Sequence, residues 1–475
     1  MADILTPDLC VVGAGSGGLS VAAIAASFGV SVVLVEKGAL GGDCLNVGCV
    51  PSKALIAAAD RAAAVREAGA FGVEAGEPRV DMGRVRAHVR HVMAAIAPND
   101  SAERYGAMGV RVIAAEGRFT DRRSLEAGGQ LIRARRFVLA TGSRPAAPPI
   151  PGLDDVPYLT NETVFDLAET PRHLLVLGGG PIGIELAQAH RRLGAPVTLV
   201  EAGRLLPRED PEMAAVVERA LRRDGVVLWT AAAVERAERR GETILLHLAG
   251  GETLEGSHLL VAAGRRPSTE GLGLEAAGIA VEPAGITVDA GLRTTNRRVY
   301  AVGDCAGAGG GPYRFTHVAN YHAGLVIRRA LFRVPAKVDL AAIPRTIYTD
   351  PELASVGLTE AEARAAGRAF RILRWPVAEN DRAQAERRPD GHVKVLVTPK
   401  GAILGCSIAA PGAGDLIPLW TLAVAKGLKI RDLAGIVMPY PTLSEVSKRA
   451  AVEFLRPSAQ SPWVRRALSL LRRFG

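Results

Sequence analysis

An α/β fold with an internal duplication is predicted from three observations. Two stretches match without a gap at a constant offset of 165, Gly13 falling on Gly178. Each reads apolar strand, G-x-G-x-x-G, helix-compatible segment, second apolar strand and a closing Glu. The chain is 48% hydrophobic over 475 residues, ample for the cores of about three domains of roughly 100–200 residues each.

The first copy places Gly13, Gly15 and Gly18 between Val11-Val12 and Val32-Val33-Leu34-Val35-Glu36; the second places Gly178, Gly180 and Gly183 between Val176-Leu177 and Val197-Thr198-Leu199-Val200-Glu201. In such a unit the first Gly permits a tight turn, the second lets the backbone approach a pyrophosphate, and the third lets helix and strand pack closely. The helix N-terminus then offers unpaired N–H groups to the phosphates. Glu36 and Glu201 each lie 18 residues past the third Gly, where a carboxylate holds a ribose hydroxyl pair. For one copy alone, a tight turn in an ordinary α/β domain is the other reading. Two in register predict two Rossmann-like dinucleotide-binding domains. Glu201 repels a 2′-phosphate and favours NADH, while Arg204, three residues on, leaves NADPH open.

Charge and composition exclude several classes. The net charge of +9 (Lys+Arg 58, Asp+Glu 49) is spread along the chain, and aromatics make up 4%, so nucleic acid is not an expected partner. No apolar run reaches the roughly 20 residues of a membrane span. Met1-Ala2-Asp3-Ile4-Leu5 lacks the basic and apolar regions of a signal peptide, so a cytoplasmic protein is expected. Five cysteines (Cys10, Cys44, Cys49, Cys305 and Cys406) make no disulfide scaffold at this length.

Cys44 and Cys49 stand apart from the others. They lie in Gly41-Gly42-Asp43-Cys44-Leu45-Asn46-Val47-Gly48-Cys49-Val50-Pro51-Ser52-Lys53. Side chains five apart on a regular helix diverge, and a disulfide needs Cα atoms within about 7 Å. Gly48 and Pro51 allow an irregular path that brings the two together. A thiol pair at a helix start is expected to have lowered pKa values and to be ready for exchange. Two buried free cysteines, or half a zinc site, are the other readings. Zinc needs two further ligands in pattern, and Cys305 and Cys406 have no Cys or His neighbours to supply them, so no metal site is expected.

G-G-x-C-x-N-x-G-C-x-P-S-K resembles the redox segment of the flavoprotein disulfide reductases, which include dihydrolipoamide dehydrogenase, glutathione reductase and mercuric reductase. Four further segments resemble that family in order: Ala140-Thr141-Gly142-Ser143, Ala262-Ala263-Gly264-Arg265-Arg266-Pro267, Val299-Tyr300-Ala301-Val302-Gly303-Asp304 and Tyr348-Thr349-Asp350-Pro351-Glu352. The resemblance implies an FAD-binding domain in two parts (1–150 and 265–335), an NAD(P)-binding domain (151–264), and a C-terminal α+β dimerisation domain (340–458) with a basic tail (459–475). It implies a homodimer. FAD would be held by Gly13, Gly15, Gly18, Glu36, Lys37, Gly42, Lys53, Thr141, Gly142, Asp304 and His317, with a structural role the alternative for His317. NAD(P)H would be held by Gly178, Gly180, Gly183, Glu201 and Gly264. Cys49 would be the charge-transfer thiol, Cys44 the exchange thiol, and Lys53 would pair with Glu185 near the flavin. A buried Lys without a partner loses its charge, so that pairing is physically sensible.

Two departures bear on the acceptor. Dithiol-handling relatives carry His-Pro-Thr-x-x-Glu, whose His is the acid–base for the partner subunit's disulfide; here Tyr440 and Glu445 occupy the His and Glu positions. Losing a matched acid–base group costs about 10²–10⁴-fold in rate. Tyr at this place resembles mercuric reductase, but the terminal cysteine pair usual there is not found after Cys406. Asp43 stands where Thr is usual; a carboxylate beside Cys44 would raise its pKa or tune the disulfide potential. The expected function is NAD(P)H- and FAD-dependent reduction, through Cys44 and Cys49, of a small-molecule disulfide in the manner of dihydrolipoamide dehydrogenase. The alternatives are a metal-ion acceptor and a low-turnover redox sensor or partner-binding module.

Residues 462–474 place Trp463, Ala467, Leu470, Leu471 and Phe474 on one helix face and Arg465, Arg466, Ser469, Arg472 and Arg473 on the other. This is the pattern of an interfacial amphipathic helix, and one reading is that it touches a membrane surface. A helix packed on the dimer body is the alternative.

Overall fold

A computed structural model describes residues 4–459 and 461–474. Residues 1–3, part of the segment expected not to be a leader, lie outside the described residues, as do 460 and 475 of the basic tail. The chain divides into two compact units. One takes the chain through Gly178, Arg192–Pro196 and Val234–Val338; the other takes Gly179–Arg191, Val197–Ala233 and the chain from Asp339 on. The division runs through the segment 151–264.

The first unit is organised by a five-stranded parallel sheet in the order Val299–Ala301, Arg136–Leu139, Leu9–Val12, Val32–Glu36, Val110–Ala114. Its central strands are unbroken runs of buried residues, as expected where both faces are covered. Leu9–Val12 lies between the second and fourth strands of the chain order. The topology therefore reverses at its carboxyl end, where doubly wound sheets open a ligand crevice. Helix Ser16–Ser27 packs on helix Thr316–Ala330 so closely that a Cβ on Gly17 would lie 3.3 Å from the Ala319 methyl. Phe119, from a neighbouring four-stranded sheet, meets Phe137 edge to face at 5.1 Å. Parallel strands Leu174–Leu177 and His258–Val261 and an antiparallel three-stranded sheet complete this unit.

In the second unit, Val197–Glu201 pairs in parallel with Val227–Thr230. A five-stranded antiparallel sheet runs Arg345–Ile347, Glu352–Gly357, Ile403–Ala410, His392–Val397, Arg371–Pro376. Helices Ala413–Lys426 and Glu445–Val452 join on this sheet's core, where the fully buried Trp420 donates its indole N–H to Ser447 Oγ at 3.0 Å. The expected mixed α/β architecture is therefore present, together with the expected α+β domain.

Ion pairs tie the helix Pro211–Arg223 region to this sheet. Lys394, on a central strand and almost wholly buried, reaches Asp210 at 2.8 Å, Glu212 at 2.9 Å and Glu360 at 2.8 Å. Arg345 pairs with Glu209 at 3.0 Å, and Ser355 donates to the same carboxylate at 2.9 Å. Hydrogen bonds from Arg374 and Lys394 hold the Glu212 carboxyl down at about 2 against its burial. Removing one member of such a buried cluster leaves the others uncompensated. Lys394→Met is expected to lower stability by about 3–5 kcal/mol in reversible denaturant unfolding; a loss below about 1 kcal/mol would show the cluster to be incidental.

Candidate active site

The first glycine turn follows strand Leu9–Val12. Gly13 has φ +103°, and a Cβ there would sit 2.4 Å from the Ala140 carbonyl oxygen; a Cβ on Gly18 would sit 1.8 Å from that of Gly13. Gly15 faces more open space, its nearest neighbour being Gly42 Cα at 3.7 Å from a notional Cβ. Helix Ser16–Ser27 starts here without a side-chain cap, which leaves its first N–H groups for a phosphate. Glu36 is fixed at its strand end by the N–H groups of Ala14 (2.6 Å) and Gly38 (2.7 Å). Thr141 Oγ1 donates to the Ser268 carbonyl at 2.6 Å, and Gly142 has φ +69°. Asp304, in the turn Gly303–Cys305, accepts from Ser143 Oγ at 2.6 Å. A cradle free of Cβ atoms, an uncapped helix and two placed carboxylates fit an FAD pyrophosphate and its flanking hydroxyls. Lys37 is exposed and pairs with Glu116 at 3.2 Å.

The second turn repeats this logic. In the first unit, Gly178 (φ +116°) would put a Cβ 2.6 Å from the Ala262 oxygen, and the Gly264 carbonyl accepts from Ala146 N–H at 3.1 Å. In the second unit, Gly180 has open space where a Cβ would stand, and Gly183 is buried in the first turn of helix Pro181–Arg192. Glu201 accepts from Gly179 N–H at 2.7 Å and Gly203 N–H at 2.8 Å. Arg204 donates to the carbonyls of Leu206 (3.2 Å), Pro207 (2.6 Å) and Glu209 (2.9 Å).

Between the cysteines the chain leaves helical geometry. The short helix Gly42–Asn46 ends at Val47, and helix Cys49–Glu67 begins after Gly48. A Cβ on Gly48 would lie 2.8 Å from the Asp43 carbonyl oxygen, and this close return lets residues five apart meet. Asn46 pins the segment by donating to the carbonyls of Leu40 (3.0 Å) and Gly42 (2.8 Å). The two thiols share a hydrogen bond, and Thr316 Oγ1 lies 3.5 Å from Cys49 Sγ.

The expectation of two lowered pKa values is corrected. Cys49 alone is lowered, to about 6, by the hydrogen bond from Cys44, then by Thr316 and the nearby Lys53 charge, against partial desolvation. Cys44 is raised, by donating that same hydrogen bond and by burial. In the reduced protein at neutral pH these shifts favour the thiolate at Cys49 and the thiol at Cys44. Lys53 lies one helical turn past Cys49 and donates to Ser52 Oγ at 3.4 Å.

Asp43 sits in an ion-pair network that sequence reasoning did not find. Arg265 reaches it at 2.8 Å and also donates to Ser143 Oγ (2.8 Å) and the Ser143 carbonyl (2.9 Å). Ser143 in turn donates to Asp304. Asn161 donates to Asp43 (3.4 Å) and to the Val47 carbonyl (3.0 Å), inside the redox segment. Burial raises the Asp43 pKa and the Arg265 charge opposes this. Arg265 lies in a segment quoted for its family resemblance; its arrangement with Asp43 has no local signal, because the two are 222 residues apart.

Of the remaining expected residues, His317 stacks on Phe315 at 5.2 Å, and its neighbour Thr316 is the one that reaches the thiolate. Glu185 is in the second unit, buried, and accepts the Tyr348 N–H at 3.0 Å. Tyr440 is 68% exposed and donates its phenol proton to Asp381 at 2.7 Å. That hydrogen bond, the Asp381 charge and the Glu445 charge raise its pKa above the usual phenol value. Glu445 accepts from Arg449 at 3.3 Å. Among the described residues there is no cluster of three or more His, Cys, Asp or Glu able to hold a metal ion.

Two glycine turns of dinucleotide-binding type and, in the first unit, a pair of neighbouring cysteines are the features of a dinucleotide-dependent redox protein. The chain matches the pyridine nucleotide-disulphide oxidoreductase family over residues 7–323 and that family's dimerisation domain over 343–451. It belongs to this family of FAD-dependent, NAD(P)H-using enzymes, and the second match supports a homodimer. It is 38% identical to a mercuric reductase of Streptomyces lividans over 94% of this chain and 96% of that one. It is 36% identical to a dihydrolipoyl dehydrogenase of Geobacillus stearothermophilus over 93% and 94%. Among solved structures it resembles LpdA of Mycobacterium tuberculosis (TM-score 0.86, 30% identity, 94% and 99% covered) and the Cu(II) complex of the HOCl-induced flavoprotein disulfide reductase RclA of Escherichia coli (TM-score 0.83, 29% identity, 93% and 98% covered).

The thiol pair titrates in a testable way. In the reduced protein, ultraviolet thiolate absorbance is expected to fall as pH drops through about 6 and to vanish in Cys49→Ser. Cys44→Ala removes the principal donor and is expected to move the midpoint up by at least about one unit, the size of a lost hydrogen bond to a charged group. An unchanged midpoint would exclude the Cys44 hydrogen bond as the cause.

Proposed function

We propose that this flavoprotein disulfide oxidoreductase takes electrons from NADH and delivers them, through Cys44 and Cys49, to a thiophilic metal ion. The observation that carries this reading is the Tyr440–Asp381 hydrogen bond. A phenol that donates to a carboxylate, with its pKa raised, holds its proton across the neutral range and is no base for a dithiol substrate. A soft divalent ion bound by two thiolates asks for no such base. Metal binding requires both sulfurs deprotonated. Cys49 is already so at neutral pH, and the arriving cation supplies the field that deprotonates Cys44. The net reaction is NADH plus the divalent ion to NAD⁺, a proton and the reduced metal.

FAD, when bound, accepts a hydride from the nicotinamide and passes on electrons. Gly13, Gly15, Gly18 and Glu36 are proposed to hold its pyrophosphate and ribose, and Asp304 its ribityl hydroxyls. Lys53 lies near Cys49, and its charge helps lower that thiol's pKa. Thr316 offers the thiolate a hydroxyl and stabilises it.

The second reading is a small-molecule disulfide acceptor, in the manner of dihydrolipoamide dehydrogenase. It is favoured by the thiolate–thiol asymmetry, which suits disulfide exchange. Steady-state NADH consumption with Hg(II) and with lipoamide, each against a Cys44→Ser control, separates the two. Cys44-dependent Hg(II) turnover with idle lipoamide is expected. Tyr440→His is expected to raise lipoamide turnover by about 10²–10⁴-fold. Efficient lipoamide turnover by the natural chain would sink the metal reading, and flavin reduction without turnover of either acceptor would indicate a redox sensor or partner-binding module.

NADH is the proposed donor because Glu201 closes the second strand with a carboxylate that repels a 2′-phosphate, and Arg204 is engaged by three backbone carbonyls. kcat/KM for NADH is expected to exceed that for NADPH by about tenfold or more. Equal values would overturn this assignment.

A further inference from the structure

We propose that residues 462–474 form an interfacial helix that docks the protein on an anionic lipid surface. Helix Pro462–Leu471, with the turn that follows it, is exposed along its whole length. Trp463 is 75% and Phe474 81% exposed, and Leu468, Leu470 and Leu471 are each about half exposed or more. At 100° per residue, Trp463, Val464, Ala467, Leu468, Leu470, Leu471 and Phe474 fill one continuous arc. Arg465, Arg466, Ser469, Arg472 and Arg473 fill the rest. A contiguous apolar face of this kind on a surface helix marks a site that something else covers.

Charge selects the occupant. The polar arc holds four Arg and one Ser, and the sequence after Glu453 contains no acidic residue. A second copy would bring an identical tail, whose four Arg side chains oppose pairing of the two helices through like charge. A nucleic acid would engage the Arg side and leave the Trp/Leu/Phe face in water. An anionic bilayer satisfies both faces: acyl chains cover the apolar arc and headgroup phosphates meet the guanidinium groups. Arg466 lies over the Trp463 ring, 5.7 Å from its centroid, at the boundary of the two arcs. An aromatic ring beside a cation is the side-chain pairing found at headgroup depth.

The helix buries none of its own residues, so a chain lacking it is expected to keep the rest of the fold. The test is flotation of the purified full-length protein with vesicles of phosphatidylglycerol and phosphatidylcholine, and with phosphatidylcholine alone. Its companions are a variant ending at Ala459, the double variant Trp463→Ser/Leu471→Ser, and the double variant Arg465→Gln/Arg472→Gln. Flavin absorbance and oligomeric mass are recorded for each.

Binding to the anionic vesicles alone is expected. It should be abolished in the shortened and Trp463→Ser/Leu471→Ser variants. It should weaken about tenfold or more in the Arg variant and on raising the salt. No binding by the full chain overturns the proposal, as does equal binding by the shortened one or equal binding to neutral vesicles. If shortening dissociates the dimer and no vesicle is bound, the helix belongs to the subunit interface and the proposal fails.

Discussion

A single backbone contact governs where the chemistry sits. Gly42 approaches Gly15 so closely that a Cβ on it would lie 2.6 Å from the Gly15 Cα, and its φ of +58° is one that L side chains rarely adopt. Through this contact the segment bearing Cys44 and Cys49 lies against the first glycine turn. The parallel sheet fixes where that turn is, because the chain order reverses beside Leu9–Val12. Sheet topology, glycine turn and thiol pair are thus joined backbone to backbone, and side chains enter only as tuning.

That tuning is electrostatic and uneven. One thiol holds its proton and lends it as a hydrogen bond; the other is charged and has Thr316 and the Lys53 charge beside it. Asp43 would add an opposing charge next to both. Arg265 compensates it and links it through Ser143 to Asp304. The carboxylate of Asp43 therefore comes with its own counter-ion, and the redox segment is stapled by Arg265 and Asn161 to two distant parts of the same unit.

Legibility in the sequence followed the range of each interaction. The glycine turns were readable because steric demands on three residues leave a local trace, and the offset of 165 doubled it. The thiol pair was readable from spacing, although Gly48 had to be trusted to break the helix. The unequal pKa values were not, since they depend on which sulfur donates and on Thr316, which is 267 residues away from Cys49. Likewise Tyr440 was visible as a departure, but not the Asp381 acceptor that fixes its protonation. The partners of Lys394 come from two stretches, at 210–212 and at 360, far from it in the chain, and leave no pattern along it.

The remaining cysteines give the molecule an internal silence. Cys10, Cys305 and Cys406 are fully buried, and burial pushes each thiol up, away from the reactive thiolate form. Of the five cysteines, Cys44 and Cys49 alone are not buried residues. In the native protein, a count of reagent-accessible thiols is therefore a direct meter of the electron pair: two when it is on the sulfurs, none when it has left. The interior was cleared of competing thiol chemistry by packing alone.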